Sequence, residues 1–238
     1  MCTAVTFSKK DHYFGRNLDF EYDFGERVVV TPRNSPFHYR YKEASVHHFS
    51  MIGMAVVADN YPLYFDATNE YGLSMAGLYF PGNAVYLSYK EDADNITPFE
   101  FIPWILSQCK DIYQAKGLLA RLNLVNTPFS DKYPLSPLHW IIADKNESLT
   151  VEPTVDGINI YDNPIGVLTN NPPFDFHMHN LANFMNLTRE EPINRFAPDC
   201  MITPYSRGMG AIGLPGDLSS ASRFIRAAFV KLNSECDD

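Results

Sequence analysis

The second residue of the chain carries the side chain with the plainest nucleophilic chemistry. The sequence begins Met1-Cys2-Thr3, and an initiator methionine before a small residue is removable by a methionine aminopeptidase. Removal leaves Cys2 with a free α-amino group, which can take the thiol proton as sulfur attacks a carbonyl carbon. An α-amine has an intrinsic pKa of about 7.7–8.0, so a useful fraction is neutral near physiological pH. By itself, Cys2 also fits an inert buried thiol.

A cation and a carboxylate follow one turn later, in the segment 14–19, FGRNLD. A hairpin that folds Thr3–Phe7 against Tyr13–Leu18 would bring Arg16 and Asp19 close to Cys2. A guanidinium favours the thiolate form of a cysteine, and a carboxylate can hold an amine in place. Without further support for a role beside Cys2, Arg16 and Asp19 also fit an ordinary surface ion pair in a turn.

Three other patterns indicate no chemistry. The run Gly208–Gly213 matches GxGxxG, but a dinucleotide site needs a strand before it and a helix after it, so we predict a loop that leads into the last helix. The pairs His47-His48 and His177/His179 lack an HExxH pattern and a Cys or carboxylate at ligand spacing, so no metal site is predicted. The sequence contains no GxSxG nucleophile elbow.

Composition excludes several classes of protein. The 238 residues are 45% hydrophobic and 20% charged, which is typical of a globular chain and not of a disordered one. A net charge of −9 without a Lys/Arg cluster argues against nucleic-acid binding.

No apolar run has the length of a membrane span and the first residues lack a signal-peptide core, so we predict no membrane insertion and a cytoplasmic location. The scattered cysteines, without a CxxC pair, predict neither a disulfide scaffold nor a cysteine zinc site. They are Cys2, Cys109, Cys200 and Cys236.

β-type runs bounded by polar turns occupy both halves of the chain. The predicted strands are Thr3–Phe7, Arg27–Thr31, Met51–Ala58, Gly72–Phe80, His139–Asp144, Ser148–Thr154, Gly157–Tyr161 and Gly166–Asn170, and the last four are expected to form an antiparallel meander.

Helices are predicted between the two groups of strands and at the end. A capping box over Thr97–Glu100 starts one helix, and Asp111 with Gln114 starts a second that reaches about Leu122. Ser222–Leu232 is predicted as the last helix, after an irregular segment Leu187–Arg207. The order of strands, helices, strands and helix indicates an α+β fold with helices packed on antiparallel sheets, not an alternating parallel one.

Motifs along nearly the whole chain resemble the choloylglycine hydrolase family, the N-terminal-nucleophile group that includes conjugated bile acid hydrolases (bile salt hydrolases) and penicillin V acylases. They are Met1–Thr3, Tyr13–Asp19, Asn60–Ala67, Asn69–Leu73, Met75–Leu78, Thr97–Trp104, Leu138–Trp140, Tyr161–Pro172, Gly213–Asp217 and Ser222–Phe224.

The resemblance implies a four-layer αββα sandwich that hydrolyses non-peptide C–N amide bonds without a metal or organic cofactor. It assigns Cys2 as nucleophile and, through its amine, as base, with Arg16 and Asp19 beside it. Asn170 is expected to donate to the oxyanion and Arg223 to complete the polar cluster. Family members run further past the last helix, so the resemblance also predicts that residues 1–238 are one domain that lacks C-terminal strands, with reduced stability and weak or absent activity.

Position 79 departs from the bile acid hydrolases, which usually carry Asn there. Tyr79 is more similar to the penicillin V acylases, but a backbone N–H at this position would serve the oxyanion with either residue. The rest of the chain resembles bile acid hydrolases of Gram-positive gut bacteria more closely, so hydrolysis of glycine- or taurine-conjugated bile acids is the first expectation. The positions that match the family's acyl pocket are Leu18, Ala58, Phe65, Phe129 and Tyr133.

The segment Leu187–Arg207 matches the family's protruding assembly loop, which implies a homotetramer. Three alternatives remain at this point: a penicillin V acylase, an amidase for acyl-homoserine lactones or other small amides, and a non-enzymatic acidic binding protein in which Cys2 is inert. An inactive truncated homologue is a further alternative.

Overall fold

The computed structural model describes residues 1–235, so Cys236 lies outside the described residues. The strands are β1 Thr3–Ser8, β2 His12–Asn17, β3 Arg27–Thr31, β4 Met51–Ala58, β5 Tyr61–Asn69, β6 Ser74–Tyr79, β7 Asp94–Ile96, β8 Leu122–Leu124, β9 Leu138–Ala143, β10 Ser148–Thr154, β11 Gly157–Asp162 and β12 Val167–Leu168. The α-helices are α1 Phe101–Leu106, α2 Ile112–Leu119, α3 Phe174–Asn180 and α4 Ser220–Asn233.

Two antiparallel sheets form the centre of the molecule. The larger has the order β11-β10-β9-β6-β5-β4-β3, and the smaller has the order β12-β1-β2. Ala76, Leu78 and Ile141 of the large sheet share a buried cluster with Ala4 and Leu168 of the small one. The two sheets therefore pack face to face, as apolar sheet faces require.

Helices cover the outer faces of both sheets. Helix α1 packs on β5 and β6 of the large sheet, and α4 packs on β1 and β12 of the small sheet. The edge of the Phe101 ring meets the Trp140 ring at a centroid distance of 4.9 Å in the core beneath α1. Together with α2 and α3, these elements give the α/β/β/α layer order that the resemblance implied.

Both predicted helix starts are confirmed. The Glu100 carboxylate accepts a hydrogen bond from the Thr97 N–H at 3.0 Å, although the first turn, Pro98–Glu100, is a 3₁₀ helix. The Asp111 carboxylate accepts from the Gln114 N–H at 2.9 Å. Each side chain satisfies an N–H group that the first turn of a helix leaves without a partner.

Two boundaries were predicted wrongly. Helix α2 ends at Leu119, and after a turn Leu122–Leu124 form β8, which pairs with β7 in parallel. The buried Asn123 amide donates to the carbonyl of Ser88 and to Asn95 Oδ1, and these contacts fix an extended conformation there. The strand predicted over Gly166–Asn170 is reduced to Val167–Leu168, and it leaves the meander to pair with β1.

Strand β5 was not among the predicted strands, because Pro62 interrupts its pattern near the start. The other predicted strands are found within one or two residues of their expected bounds. The loop prediction for the run Gly208–Gly213 is also confirmed, since turns surround it and no strand precedes it. Leu187–Arg207 contains neither a helix nor a strand.

Candidate active site

The hairpin of β1 and β2 brings Arg16 to Cys2. Ala4 and Arg16 are opposite each other in the register, so their side chains lie on one face of the small sheet, as does Cys2 two residues earlier. Arg16 Nη2 lies 3.1 Å from Cys2 Sγ. Cys2 is 2% exposed and the Arg16 side chain 5%, so the contact is screened little by solvent.

The other arm of the Arg16 guanidinium reaches the large sheet. Its Nη1 donates to the Phe65 carbonyl at 3.3 Å and lies 3.5 Å from Asp66 Oδ2. Burial raises the pKa of the Asp66 carboxyl, and Arg16 opposes that shift. Asp66 lies in the motif Asn60–Ala67, but its residue type alone does not distinguish it from a surface carboxylate, so the sequence predicts no role for it.

Asn170 lies two residues after the end of β12 and links three parts of the site. Its Oδ1 accepts from the Cys2 N–H at 2.9 Å and from Arg223 Nη2 at 2.7 Å. Its Nδ2 donates to the Tyr79 carbonyl at 2.7 Å, which leaves the second amide hydrogen free to serve another acceptor.

Arg223 enters from the first turns of α4. Its Nη1 donates to the Cys2 carbonyl and, at 2.7 Å, to Thr3 Oγ1, while its Nε donates to the Leu218 carbonyl at 3.1 Å. Burial lowers the pKa of Arg223, although Cys2 opposes the shift. The Arg223 guanidinium thus holds the backbone of the nucleophile candidate, whereas Arg16 contacts its sulfur.

Asp19 contacts the terminal ammonium group rather than Cys2. Its Oδ2 lies 3.1 Å from the nitrogen of Met1, and its carbonyl accepts from that nitrogen at 3.0 Å. The side chain is half exposed, at 51%. Asp19 is therefore placed to hold an α-ammonium at this end of β1, as the spacing suggested, but in this form of the chain the ammonium belongs to Met1.

Tyr79 ends β6 with its backbone at the site and its ring 52% exposed. The Phe80 N–H donates to the Pro137 carbonyl across the sheet at 2.8 Å. Hydrogen-bonded and non-hydrogen-bonded pairs alternate along an antiparallel ladder, so the N–H and carbonyl of Tyr79 point away from β9. The Tyr79 carbonyl accepts from Asn170. The Tyr79 N–H points in the same direction as this carbonyl, toward the candidate site.

The five residues expected in the acyl pocket fall into two groups. Leu18 lines a cavity of about 330 Å³ between the sheets together with Arg16 and Asp66, and the ring of Phe65 lies next to this region against Phe20. Phe129 lines a second cavity, of about 610 Å³, and its ring contacts Tyr133. Ala58 is buried at the end of β4, opposite Tyr61 of the second cavity.

The described part of the chain, 1–235, contains no group of three or more His, Cys, Asp or Glu residues placed to hold a metal ion. His177 and His48 instead donate to the backbone carbonyls of Asn170 and Phe49. None of the helices formed by residues 1–235 has the length and apolar character needed to cross a membrane.

The arrangement can perform acyl transfer from an amide. A thiol lies against a buried cation, its own backbone nitrogen is held by an amide oxygen, and an amide N–H and a backbone N–H point into the same region. These are the groups needed to generate a sulfur nucleophile and to stabilise the oxygen of a tetrahedral intermediate.

Comparisons with known proteins agree with this reading of the fold. The bile salt hydrolase/transferase of Lactiplantibacillus plantarum is 52% identical over 234 residues, which are 98% of this chain and 72% of that protein. The crystal structure of a conjugated bile acid hydrolase from Clostridium perfringens superposes with a TM-score of 0.89 at 37% identity, over 97% of this chain and 72% of that one.

The structure of the penicillin V acylase from Agrobacterium tumefaciens shows the same fold at 18% identity, with a TM-score of 0.73 over 97% of this chain and 65% of that one. The four layers thus define an N-terminal-nucleophile hydrolase fold. The sequence model of the linear amide C–N hydrolases of the choloylglycine hydrolase family matches residues 2–238. The chain belongs to the choloylglycine hydrolase family.

Proposed function

We propose that the chain hydrolyses the amide bond of glycine- or taurine-conjugated bile acids, with Cys2 as nucleophile once Met1 has been removed. The observation that carries the proposal is the pair of contacts at Cys2: Arg16 at 3.1 Å from the sulfur and Asn170 at 2.9 Å from the nitrogen. The relatives named for bile salts, at 37–52% identity over almost the whole chain, supply the substrate class.

In the first half-reaction, the α-amine of Cys2 takes the thiol proton and sulfur attacks the amide carbonyl carbon. A C–S bond forms, the C–N bond breaks, and the amino acid leaves as a free amine with the proton from the α-ammonium. In the second half-reaction, water loses a proton to the α-amine and attacks the thioester. The C–S bond breaks, the bile acid leaves as a carboxylic acid, and the thiol is restored.

The charge of each tetrahedral intermediate resides on one oxygen. The second Nδ2 hydrogen of Asn170 and the N–H of Tyr79 are the donors we assign to it. A fixed donor of this kind is worth about 3–4 kcal/mol in the transition state. Arg223 holds Asn170 Oδ1 in place, and Asp19 would keep the terminal ammonium at this end of β1.

We assign the acyl group to the apolar side chains beside this centre. Leu18 lines the first cavity with Arg16, and the Phe65 carbonyl accepts from Arg16. Phe129 lines the second cavity, with Tyr133 against its ring and Ala58 opposite Tyr61 of that cavity. A steroid needs a long apolar surface, and a pocket that extends from the first group toward the second would provide one.

The test is a product assay with glycocholate, taurocholate and penicillin V side by side. We expect both bile acid conjugates to give a higher kcat/KM than penicillin V, and Cys2→Ala to abolish all three activities. A higher kcat/KM for penicillin V would make the acylase the correct alternative. Turnover by Cys2→Ala equal to that of the wild type would contradict the mechanism.

Residues 1–238 are proposed to form one domain whose β2 edge accepts further strands. Strand β2 is one of the two outer strands of the small sheet among the described residues, and an unpaired edge favours pairing with another strand. A chimera that carries the C-terminal segment of the L. plantarum relative should melt at a higher temperature and turn over faster. Equal melting temperature and turnover for the two chains would contradict this proposal.

The loop Leu187–Arg207 is proposed to mediate assembly into a homotetramer. Phe196, Met201 and Tyr205 are 94%, 96% and 87% exposed, which is unusual for three large apolar side chains in one segment. Light scattering should give four times the chain mass, and Phe196→Asp should lower it. A wild-type monomer at micromolar concentration would contradict the assembly.

A cytoplasmic location is proposed from the state of the thiols. Cys2, Cys109 and Cys200 form no disulfide with one another in the described residues. Cell fractionation should recover the protein with a cytoplasmic marker, and its recovery in the medium would contradict the location.

A further inference from the structure

Two buried histidines hold consecutive carbonyl groups at the base of the candidate site. His139 Nε2 lies 2.9 Å from the Thr169 carbonyl oxygen, and His177 Nε2 lies 3.0 Å from the Asn170 carbonyl oxygen. Both histidines are 0% exposed, and they come from separate elements, β9 and α3. The peptide unit between Thr169 and Asn170 is therefore flanked by two side chains that have no access to water.

The hydrogen on the Nε2 atom of each ring follows from the partner of that atom. A carbonyl oxygen carries no hydrogen, so each Nε2 must donate. His177 Nδ1 has no hydrogen-bond partner among the described residues, and burial lowers the pKa of this imidazole, so it is neutral with its hydrogen on Nε2. Its ring is also stacked on Phe224 of α4 at a centroid distance of 4.8 Å, which fixes the plane of the ring.

A buried carboxylate orients the other ring. Glu152 Oε1 lies 2.9 Å from His139 Nδ1, and both side chains are fully buried. The same carboxylate accepts from the Phe174 N–H at 3.0 Å, which anchors it at the start of the helix that carries His177. Phe80 stacks on His139 at 4.3 Å, one residue after Tyr79.

The backbone that these groups fix carries the side chain on which the proposed chemistry depends. The Asn170 N–H donates to Ser220 Oγ at 2.8 Å, so the N–H and both carbonyls around the Asn170 α-carbon are engaged. A rotation of this peptide would move the Asn170 amide away from the Cys2 nitrogen and from the Tyr79 carbonyl.

We propose that His177 and the His139–Glu152 pair are positioning residues that hold the Asn170 amide against Cys2, an inference that rests on the proposed function. Neither histidine touches the nucleophile, so both act through the backbone of Thr169 and Asn170. A small displacement of an oxyanion donor costs far more in turnover than in substrate binding, because the interaction is strongest in the transition state.

His177 allows the cleaner test, because it is neutral and its removal leaves no buried charge. His177→Leu removes the donor, whereas His177→Gln keeps an N–H near the position of Nε2. His48 provides the control: it is also a buried histidine whose ring nitrogens contact backbone carbonyls, those of Phe49 and Ser35, and it contacts none of Cys2, Arg16, Asn170 and Arg223. His48→Leu and His48→Gln are made in parallel.

Each variant is assayed for kcat and KM on glycocholate, at least 10 °C below its own melting temperature. His177→Leu should lower kcat about 10- to 100-fold with KM within threefold of the wild type, and His177→Gln should restore kcat to within about fivefold. The His48 variants should lower the melting temperature while kcat stays within twofold. A kcat for His177→Leu within twofold of the wild type, or an equal loss in His177→Leu and His177→Gln, would overturn the proposal.

A second measurement separates failure of this proposal from failure of the proposed function. The rate of Cys2 alkylation by iodoacetamide needs no bile acid, and it depends on the nitrogen that Asn170 holds. We expect alkylation to be slower in His177→Leu than in His177→Gln even if glycocholate is not a substrate. Equal alkylation rates in the wild type and His177→Leu would overturn the positioning role, whatever the substrate.

Discussion

Arg16 and Asp66 form an ion pair that joins the two sheets, with Arg16 Nη1 at 3.5 Å from Asp66 Oδ2. Asp66 Oδ1 also accepts from the Met54 N–H at 3.3 Å, where a bulge in β5 leaves Phe65 without a partner in the register with β4. The bulge lies next to Asp66, whose carboxylate contacts this N–H and in turn orients the guanidinium that contacts Cys2. The geometry of the nucleophile thus depends on an irregularity in the facing sheet.

Asp66→Asn should lower activity without lowering stability at neutral pH. Loss of the carboxylate frees the Arg16 guanidinium, and we expect kcat/KM on glycocholate to fall about tenfold. Burial raises the pKa of Asp66 in the folded state above its value in the unfolded chain. Protonation of this carboxyl therefore favours the folded state, and that stability is lost as pH rises through the folded-state pKa. Asn cannot ionise, so the variant should melt at or above the wild-type temperature at pH 7, and this difference should vanish at pH 3. A lower melting temperature at pH 7 would contradict the argument.

Arg16→Gln should slow the alkylation of Cys2 by iodoacetamide about 10- to 100-fold. A hydrogen bond to a charged group is worth about 1.5–3 kcal/mol, and the thiolate would lose that contact. The measurement uses a Cys200→Ser, Cys236→Ser background. Cys109 stays protonated there, because burial raises the pKa of its thiol to about 12.

Arg33→Gln is the control for that experiment. Arg33 is an exposed arginine that pairs with Glu70 and not with Cys2. Its substitution should leave the alkylation rate unchanged. Equal rates for Arg16→Gln and Arg33→Gln would show that the guanidinium at 3.1 Å does not activate the sulfur.

Asn69→Ala should destabilise the fold strongly. The buried Asn69 side chain donates to the carbonyls of Leu106 and Cys109 and accepts from the N–H groups of Tyr71 and Leu73. Groups left unpaired in a core cost about 1–3 kcal/mol each, so we expect a loss of about 3 kcal/mol or more.

Thermal melting checks that loss, with an expected decrease of about 6–12 °C. Asn183→Ala is the exposed counterpart, since its amide donates to Asn180 and to no other residue within 1–235, and it should change stability by less than about 0.5 kcal/mol. Similar melting temperatures for the two variants would refute the structural role of Asn69.

Tyr79→Asn should shift selectivity toward bile acids. The Tyr79 backbone meets Asn170 whatever the side chain, so the substitution changes pocket shape and leaves the proposed oxyanion donors in place. We expect the ratio of kcat/KM for glycocholate to that for penicillin V to rise about tenfold, the scale of one altered apolar contact. An unchanged ratio would mean that Tyr79 is not a selectivity element.

Local patterns predicted most of the elements from sequence. The alternation in Thr3–Phe7 and Tyr13–Leu18 predicted the hairpin, and the hairpin register is what places Arg16 beside Cys2. The caps at Thr97 and Asp111 marked helix starts because their side chains satisfy N–H groups close by in the sequence. Such signals depend on neighbours within a few residues.

Contacts between distant residues were beyond local patterns. The pairing of Val167–Leu168 with β1 joins positions more than 160 residues apart, and only the complete fold decides it. Asp66 and the buried pair His139 and Glu152 have ordinary types for surface positions, so their burial gave no local signal. Asn170 and Arg223 were anticipated from the family resemblance, not from spacing.

Processing at the N-terminus offers the most direct test of the account. Protein with Met1 retained, made in a strain that lacks efficient methionine aminopeptidase activity, is compared by intact mass and glycocholate turnover with the same protein after aminopeptidase treatment. The account predicts that turnover rises in proportion to the fraction that has lost one methionine, because only then does Cys2 carry a free α-amine. Full turnover by protein that retains Met1 would contradict it.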